Sequence, residues 1–167
     1  MRDEARPEVY LILDRLRSLY NVGSLFRTAD AFGVKKIYLC GYTGAPPRKE
    51  ISKVALGAER TVPWEKRGQT WKVVEELKNK GVRVVALENI SRTVLKNSKG
   101  LSLKYRVINQ FHPRFPIALI VGNEVNGISH GTLARADVVV EIPMLGKKES
   151  LNVVVSAGIA LYHLRNF

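Results

Sequence analysis

The sequence predicts one α/β domain built on a mostly parallel sheet with helices on both faces, and three observations predict it. Strand-like stretches alternate with helical ones along the chain. Several strands are continuous apolar runs rather than alternating patterns, as expected of strands covered on both faces. The chain has 167 residues, 46% hydrophobic and 25% charged, the size and composition of a domain with a substantial core. No internal repeat, low-complexity tract or linker divides residues 1–167, so a single domain is expected.

The elements follow in order. Val9–Leu13 is an apolar run ending at Asp14 and reads as a buried strand. Asn21–Phe32 reads as a helix: Asn21 can cap its start, Leu25, Phe26, Ala29 and Phe32 recur at helical spacing, and Gly33 stands in a stop position. Ile37–Cys40 is the next strand, and Gly41–Arg48, with two Gly and two Pro, is a loop. Ile51–Ala58 is read as a short helix and Thr61–Trp64 as a short extended piece. Thr70–Lys80 is a stronger helix, with Trp71, Val74 and Leu77 on one side and Gly81 closing it. Arg83–Leu87, Pro116–Val121 and Val138–Ile142 are strands. Ser91–Tyr105 is basic and mixed and carries no clear period. Leu151–Leu164 is a helix with Leu151, Val154, Val155, Gly158 and Tyr162 along one face.

Lys and Arg total 27 against 15 Asp and Glu, a net charge of +12. Such an excess points to a polyanionic partner, nucleic acid or an anionic membrane. The one cysteine, Cys40, excludes an internal disulfide and a Cys-rich zinc site. The first eight residues are too charged for a secretory signal, and no stretch approaches the ~18 apolar residues of a membrane helix. A soluble cytoplasmic protein is the expectation.

Ligands of open α/β sheets bind beyond the carboxyl ends of strands. The segments after Leu13, Leu87, Val121 and Ile142 are therefore the places to look. Standard fingerprints are missing there. No G-x-G-x-x-G occurs. Gly122–Gly127 has P-loop spacing, but Ile128 stands where the phosphate-binding Lys belongs. His112, His130 and His163 lack metal-ligand spacing, so no metal is expected. No G-x-S-x-G elbow supports a serine hydrolase.

Three segments remain: Asn21-Val-Gly-Ser-Leu-Phe-Arg27, then Val121-Gly-Asn-Glu-Val-Asn-Gly-Ile-Ser129, then Ile142-Pro-Met-Leu-Gly-Lys-Lys-Glu-Ser-Leu-Asn-Val153. In this order and spacing they resemble the three motifs of the SpoU (SPOUT-class) RNA ribose 2′-O-methyltransferases. The resemblance spans about Val9 to Tyr162. It implies a C-terminal trefoil knot, which general topology rules would not suggest. It also implies S-adenosylmethionine bound in the knot, a homodimer formed through it, and methylation of a ribose 2′-hydroxyl of tRNA or rRNA. The motifs do not choose between those RNAs, and the small surface of a bare catalytic domain favours tRNA.

By this resemblance Arg27, Asn21, Glu124, Ser150 and Asn152 are candidate catalytic residues. Leu87, Gly122, Ile142, Met144 and Leu151 are candidate contacts of the cofactor, largely through backbone. An alcohol is barely nucleophilic at neutral pH and needs a base or an electrostatic partner for the developing alkoxide. A guanidinium stays protonated, so Arg27 is easier to defend as an electrostatic or phosphate-positioning group than as a base. Each candidate also has a plain structural role. Asn21 and Ser150 are good helix caps, Gly23 permits a close approach, and Leu87, Ile142 and Leu151 could simply fill a core. Relatives often carry a second Ser and an Ala where this chain has Val154 and Ser156, a difference inside the last helix that calls only for repacking.

Many relatives also carry an RNA-binding extension; none is expected here, so the domain's own basic residues must grip RNA. Arg48, Lys49 and Lys53 form one candidate cluster. Lys96, Lys99, Lys104 and Arg106 form a second, with Tyr105 available for stacking. Two other readings compete: a non-catalytic RNA-binding or ribosome-assembly protein with the same fold, and a small-molecule methyltransferase. The intact motifs oppose the first and the basic surplus the second.

Overall fold

A computed structural model describes residues 6–89 and 104–166. Seven strands form one sheet: β1 (Val9–Asp14), β2 (Lys36–Cys40), β3 (Trp64–Arg67), β4 (Arg83–Leu87), β5 (Tyr105–Val107), β6 (Ile117–Gly122) and β7 (Val138–Glu141). Their order is β3-β2-β1-β6-β4-β7-β5, and every pairing is parallel. The helices are α1 (Leu19–Ala31), α2 (Lys49–Ala55), α3 (Ala58–Thr61), α4 (Thr70–Asn79), α5 (His130–Leu133) and α6 (Val153–Arg165).

The continuous apolar strands are explained by burial on both faces. Leu11, Leu13, Leu119 and Val121 point to one face, under Leu25 and Phe26 of α1, Ile51 of α2 and Leu161 of α6. Their neighbours Ile12, Ala118 and Ile120 point to the other, under Val73, Val74 and Leu77 of α4 and Leu133 of α5. Each fully buried aliphatic side chain contributes about 1.5–3 kcal/mol relative to exposure. Gly23 on α1 meets the backbone of α2: a Cβ there would sit 2.5 Å from the Ile51 carbonyl oxygen. The close approach expected at Gly23 is thus to a neighbouring helix.

Several boundaries differ from expectation for physical reasons. α1 begins at Leu19, because Ser18 is its cap and accepts from the Asn21 N–H. Asn21 is therefore inside the first turn. The last helix begins at Val153, and Asn152, not Ser150, caps it by accepting from Val154 N–H at 2.8 Å. The extended piece expected at 61–64 lies at Trp64–Arg67, a polar edge strand beside β2. The Ile51–Ala58 helix is two shorter ones broken at Leu56 and Gly57, both left-handed.

α6 buries Ala157, Ala160, Leu161 and Leu164 and leaves Val155, Ile159 and Tyr162 exposed. Its Gly158 faces Thr28 of α1 in the same chain. Among the described residues no helix is long and apolar enough to cross a membrane.

Candidate active site

The chain builds β1, β2 and β3 outward in one direction and then places β6 and β4 on the other side of β1. The carboxyl ends at such a reversal form a natural crevice. Asp14 ends β1 fully buried. It accepts from Thr70 Oγ1 at 2.5 Å and from both the N–H and hydroxyl of Ser129, at 2.8 and 2.9 Å. The Arg15 Nε lies 3.4 Å away. A buried carboxylate is tolerable when its oxygens are filled this way, and here it locks the starts of α4 and α5 to the end of β1.

β6 ends in a tight turn. A Cβ on Gly122 would lie 2.4 Å from Gly127 C and Ile128 N, so only glycine lets this turn fold back on its strand. The crowding at Gly122 comes from the chain itself. Asn123, 4% exposed, organises the turn. Its Oδ1 accepts from Val125 and Asn126 N–H at 2.9 and 2.8 Å. Its amide donates to Arg15 O at 2.8 Å and to the Tyr42 hydroxyl at 2.9 Å.

That turn holds Glu124 against the start of α1. Its carboxylate accepts from Arg17 N–H at 3.0 Å, Ser18 N–H at 3.2 Å and Asn21 Nδ2 at 3.0 Å. Burial alone would raise this carboxyl, but the hydrogen bonds from Arg17, Asn21 and Ser18 hold it below the usual carboxylate value. Asn152 closes the chain: its Nδ2 lies 3.4 Å from Asn21 Oδ1. Asn21 of the first motif thus meets one residue from each of the other two. Ser18 caps α1, which frees the Asn21 side chain for Glu124.

Beside this chain of groups lies a cavity of about 370 Å³. All five candidate cofactor residues, Leu87, Gly122, Ile142, Met144 and Leu151, line it, and so do Glu124, Ser150 and Asn152. Among the described residues the charged groups on its wall are Glu88, Glu124 and Glu149; no cation lines it. Sequence reasoning did not single out Glu88, nor Asn123. The Glu88 carboxylate accepts from Ile128 N–H at 2.8 Å and Asn89 N–H at 3.1 Å. Burial pushes its carboxyl above the usual value, and those two hydrogen bonds only partly offset this. The signal available was its place directly after a strand in a candidate ligand-binding segment.

Arg27 stands apart. It is exposed on α1 and does not line the cavity, and its guanidinium makes no hydrogen bond or ion pair among the described residues. Arg48, Lys49 and Lys53 are exposed at and on α2, with Arg48 Nε 3.8 Å from Glu50. Lys104 and Arg106 are exposed at β5, the edge of the sheet opposite β3. Lys96 and Lys99 lie outside the described residues. The hydroxyl of Tyr105 donates to Glu141 at 3.1 Å.

This geometry has counterparts. The model of the SpoU rRNA Methylase family matches residues 8–162. The chain is 32% identical over 163 residues to a 23S rRNA (guanosine-2′-O-)-methyltransferase, RlmB, of Neisseria meningitidis, covering 96% of this chain and 59% of that protein. It is 30% identical over 155 residues to YacO of Bacillus subtilis, a putative TrmH family tRNA/rRNA methyltransferase, covering 93% and 57%. The chain thus spans less than two-thirds of the length of these relatives. Among solved structures, an AdoMet-bound rRNA methyltransferase from Sinorhizobium meliloti superposes with a TM-score of 0.80 at 26% identity, covering 97% of this chain and 58% of that one. A TrmH/SpoU tRNA modifying enzyme from A. aeolicus gives 0.78 at 29% identity, covering 96% and 75%. The convergence of Asn21, Glu124 and Asn152 therefore falls within a match over nearly the whole chain, and the chain belongs to the SpoU rRNA Methylase family.

Proposed function

We propose that this chain is an S-adenosylmethionine-dependent RNA ribose 2′-O-methyltransferase acting on tRNA or rRNA. The observation that carries the reading is the hydrogen-bonded meeting of Asn21, Glu124 and Asn152 at the rim of a cavity. The cavity's residues fit a cationic nucleoside cofactor. Apolar walls at Leu87, Ile142 and Leu151 suit an adenine, and three carboxylates, with no cation among the described lining residues, suit a sulfonium. That cofactor, when bound, supplies an electrophilic methyl group. This chain's residues hold and orient. Glu124, kept ionised by its three donors, fixes the start of α1 against the β6 turn and presents a negative edge to the cavity mouth. Arg27 offsets the negative charge that develops on the 2′-oxygen as its bond to the incoming methyl group forms and its proton passes to solvent water.

Because Arg27 does not line its own chain's cavity, the reading includes a homodimer in which one subunit's Arg27 serves the other's cofactor. Exposed Val155, Ile159 and Tyr162 on α6 offer an apolar face for it. The trefoil knot belongs to the same proposal; its support is the segment 142–152, which walls the cavity before α6 returns to the sheet. RNA recognition by Arg48, Lys49, Lys53, Lys104 and Arg106 rests on their exposure and the +12 charge.

The test is methyl transfer from labelled S-adenosylmethionine to bulk tRNA and bulk rRNA, with digestion and mass spectrometry of the product nucleosides. A 2′-O-methylated nucleoside is expected. Cofactor binding with no transfer to either RNA would favour the non-catalytic RNA-binding alternative. Light scattering at low micromolar concentration should report about twice 18.7 kDa.

A further inference from the structure

The loop after β2 holds an aromatic side chain in an unusual way. Tyr42 is 58% exposed, while Thr43 beside it is fully buried. The Thr43 hydroxyl accepts from Leu16 N–H at 2.9 Å and lies 2.7 Å from Cys40 O, to which it donates. Gly41 N–H reaches Arg67 O at 3.0 Å. The Lys66 ammonium donates to Gly41 O at 2.6 Å and also to Thr43 O. One cation therefore clamps the backbone on both sides of Tyr42. The phenol oxygen is held as well, by Asn123 Nδ2.

Asn123 immediately precedes Glu124, and both line the cavity; Tyr42 does not. Tyr42 thus stands next to the cavity, across the Asn123 side chain. Arg15 completes the setting. It takes a left-handed backbone, φ 57°, rare for a residue with a side chain. Its carbonyl accepts from the same Asn123 amide. Its side chain packs so closely on Gly41 that a Cβ there would lie 2.6 Å from Arg15 Cγ. Strain of this kind collects at ligand sites. The Arg15 side chain is one-third exposed beside the Tyr42 loop, with its Nε turned inward towards Asp14.

A fixed, exposed ring beside an arginine suits an unpaired nucleotide. Every base has a π-face to stack, and a ring already immobilised loses little freedom on stacking. We propose that Tyr42 is the stacking platform for an unpaired nucleobase at or next to the methylated ribose, with Arg15 beside it for the phosphate. This rests on the RNA methyl-transfer reading. The rival role for Tyr42 is a tether that holds the loop through its hydroxyl.

The experiment measures methyl transfer to bulk tRNA and rRNA as a function of RNA concentration for the wild type, Tyr42→Ala and Tyr42→Phe. Calorimetry with S-adenosylmethionine confirms that each variant folds its cavity. Tyr42→Ala should raise KM for RNA by about 5- to 100-fold, with cofactor affinity held within twofold. Tyr42→Phe keeps the ring and should recover most of the RNA affinity. An unchanged KM in Tyr42→Ala overturns the proposal, and a Phe variant as poor as Ala assigns the tether role instead. Ultraviolet crosslinking to bulk RNA should mark the tryptic peptide Ile37–Arg48. If the wild type transfers no methyl group, the functional reading fails by itself. Crosslinking still decides on Tyr42: a mark on that peptide supports the platform, and its absence overturns it.

Discussion

The cavity wall and the flank formed by α1 and α2 carry opposite charge. The described charged residues on the wall are Glu88, Glu124 and Glu149. On the flank, Arg17, Arg27, Arg48, Lys49 and Lys53 are all exposed. A chain of net charge +12 would be expected to place cations everywhere. Among the described residues none lines the cavity wall, a division by sign that suits the proposed pair of ligands, a small cation inside and a polyanion outside. Glu124 stands at the border, its charge held by N–H donors.

Arg27→Ala is the sharpest way to break this division. Removing one positioned electrostatic group typically costs ~10²–10³ in rate. The variant should lose that much kcat while calorimetry shows cofactor affinity unchanged. If the proposed dimer forms, mixing Arg27→Ala with a variant defective in the cavity should restore some activity, since the intact Arg27 and the intact cavity would then meet across the dimer. Turnover within a few-fold of wild type would remove Arg27 from the site.

The flank is tested by salt. RNA affinity should fall with a log–log slope of roughly −0.7 to −0.9 per phosphate neutralised. Replacing Arg48, Lys49 and Lys53 together by Ala should flatten that slope by about 2–3. Cofactor binding should show little of this dependence. A parallel line with unchanged affinity would move the RNA to another face.

A smaller effect is expected inside the wall. Glu88→Gln should weaken S-adenosylmethionine about fivefold, on the order of 1 kcal/mol for one partly screened charge. S-adenosylhomocysteine, whose sulfur is neutral, should lose less. Equal losses would reduce Glu88 to a structural acceptor for Ile128 and Asn89.

The smallest effect is in pH. The folded Glu124 carboxyl titrates below its unfolded value. Its stabilising contribution is therefore complete above the unfolded value and is lost as pH falls through the folded one. The thermal midpoint of wild type should exceed that of Glu124→Gln by a few degrees near pH 6, and the gap should close on acidification. A gap independent of pH would mean that the charge is idle.

The sheet was legible because burial on both faces writes itself into continuous runs such as Ile117–Val121. The small and polar elements were not. Trp64–Arg67 and Tyr105–Val107 are short edge strands, and His130–Leu133 is a single turn. The motifs announced Asn21, Glu124 and Asn152, yet the caps were read in the wrong places. Ser18 and Asn21, like Ser150 and Asn152, are all competent acceptors near a helix start. Only the path of the backbone decides which one turns inward. Glu88 and Asn123 lie in segments the sequence marked, yet their roles, and that of Tyr42, were not legible, for another reason. Their roles depend on partners far along the chain, Ile128 for Glu88 and Asn123 for Tyr42.

The register that sets Asp14 against Gly122 has a kinetic side. β1 to β3 make one half-sheet and β4 to β7 the other, and the β1–β6 ladder is the seam that joins them. Asn21 and Arg15 belong to the first half, Glu124, Asn123 and Asn152 to the second. Contacts between segments so distant in sequence form slowly. The bonds from Asn21 to Glu124 and Asn152 cannot form before that seam closes. They are made late in folding, so removing them should shorten the lifetime of the folded state while leaving the folding rate nearly untouched.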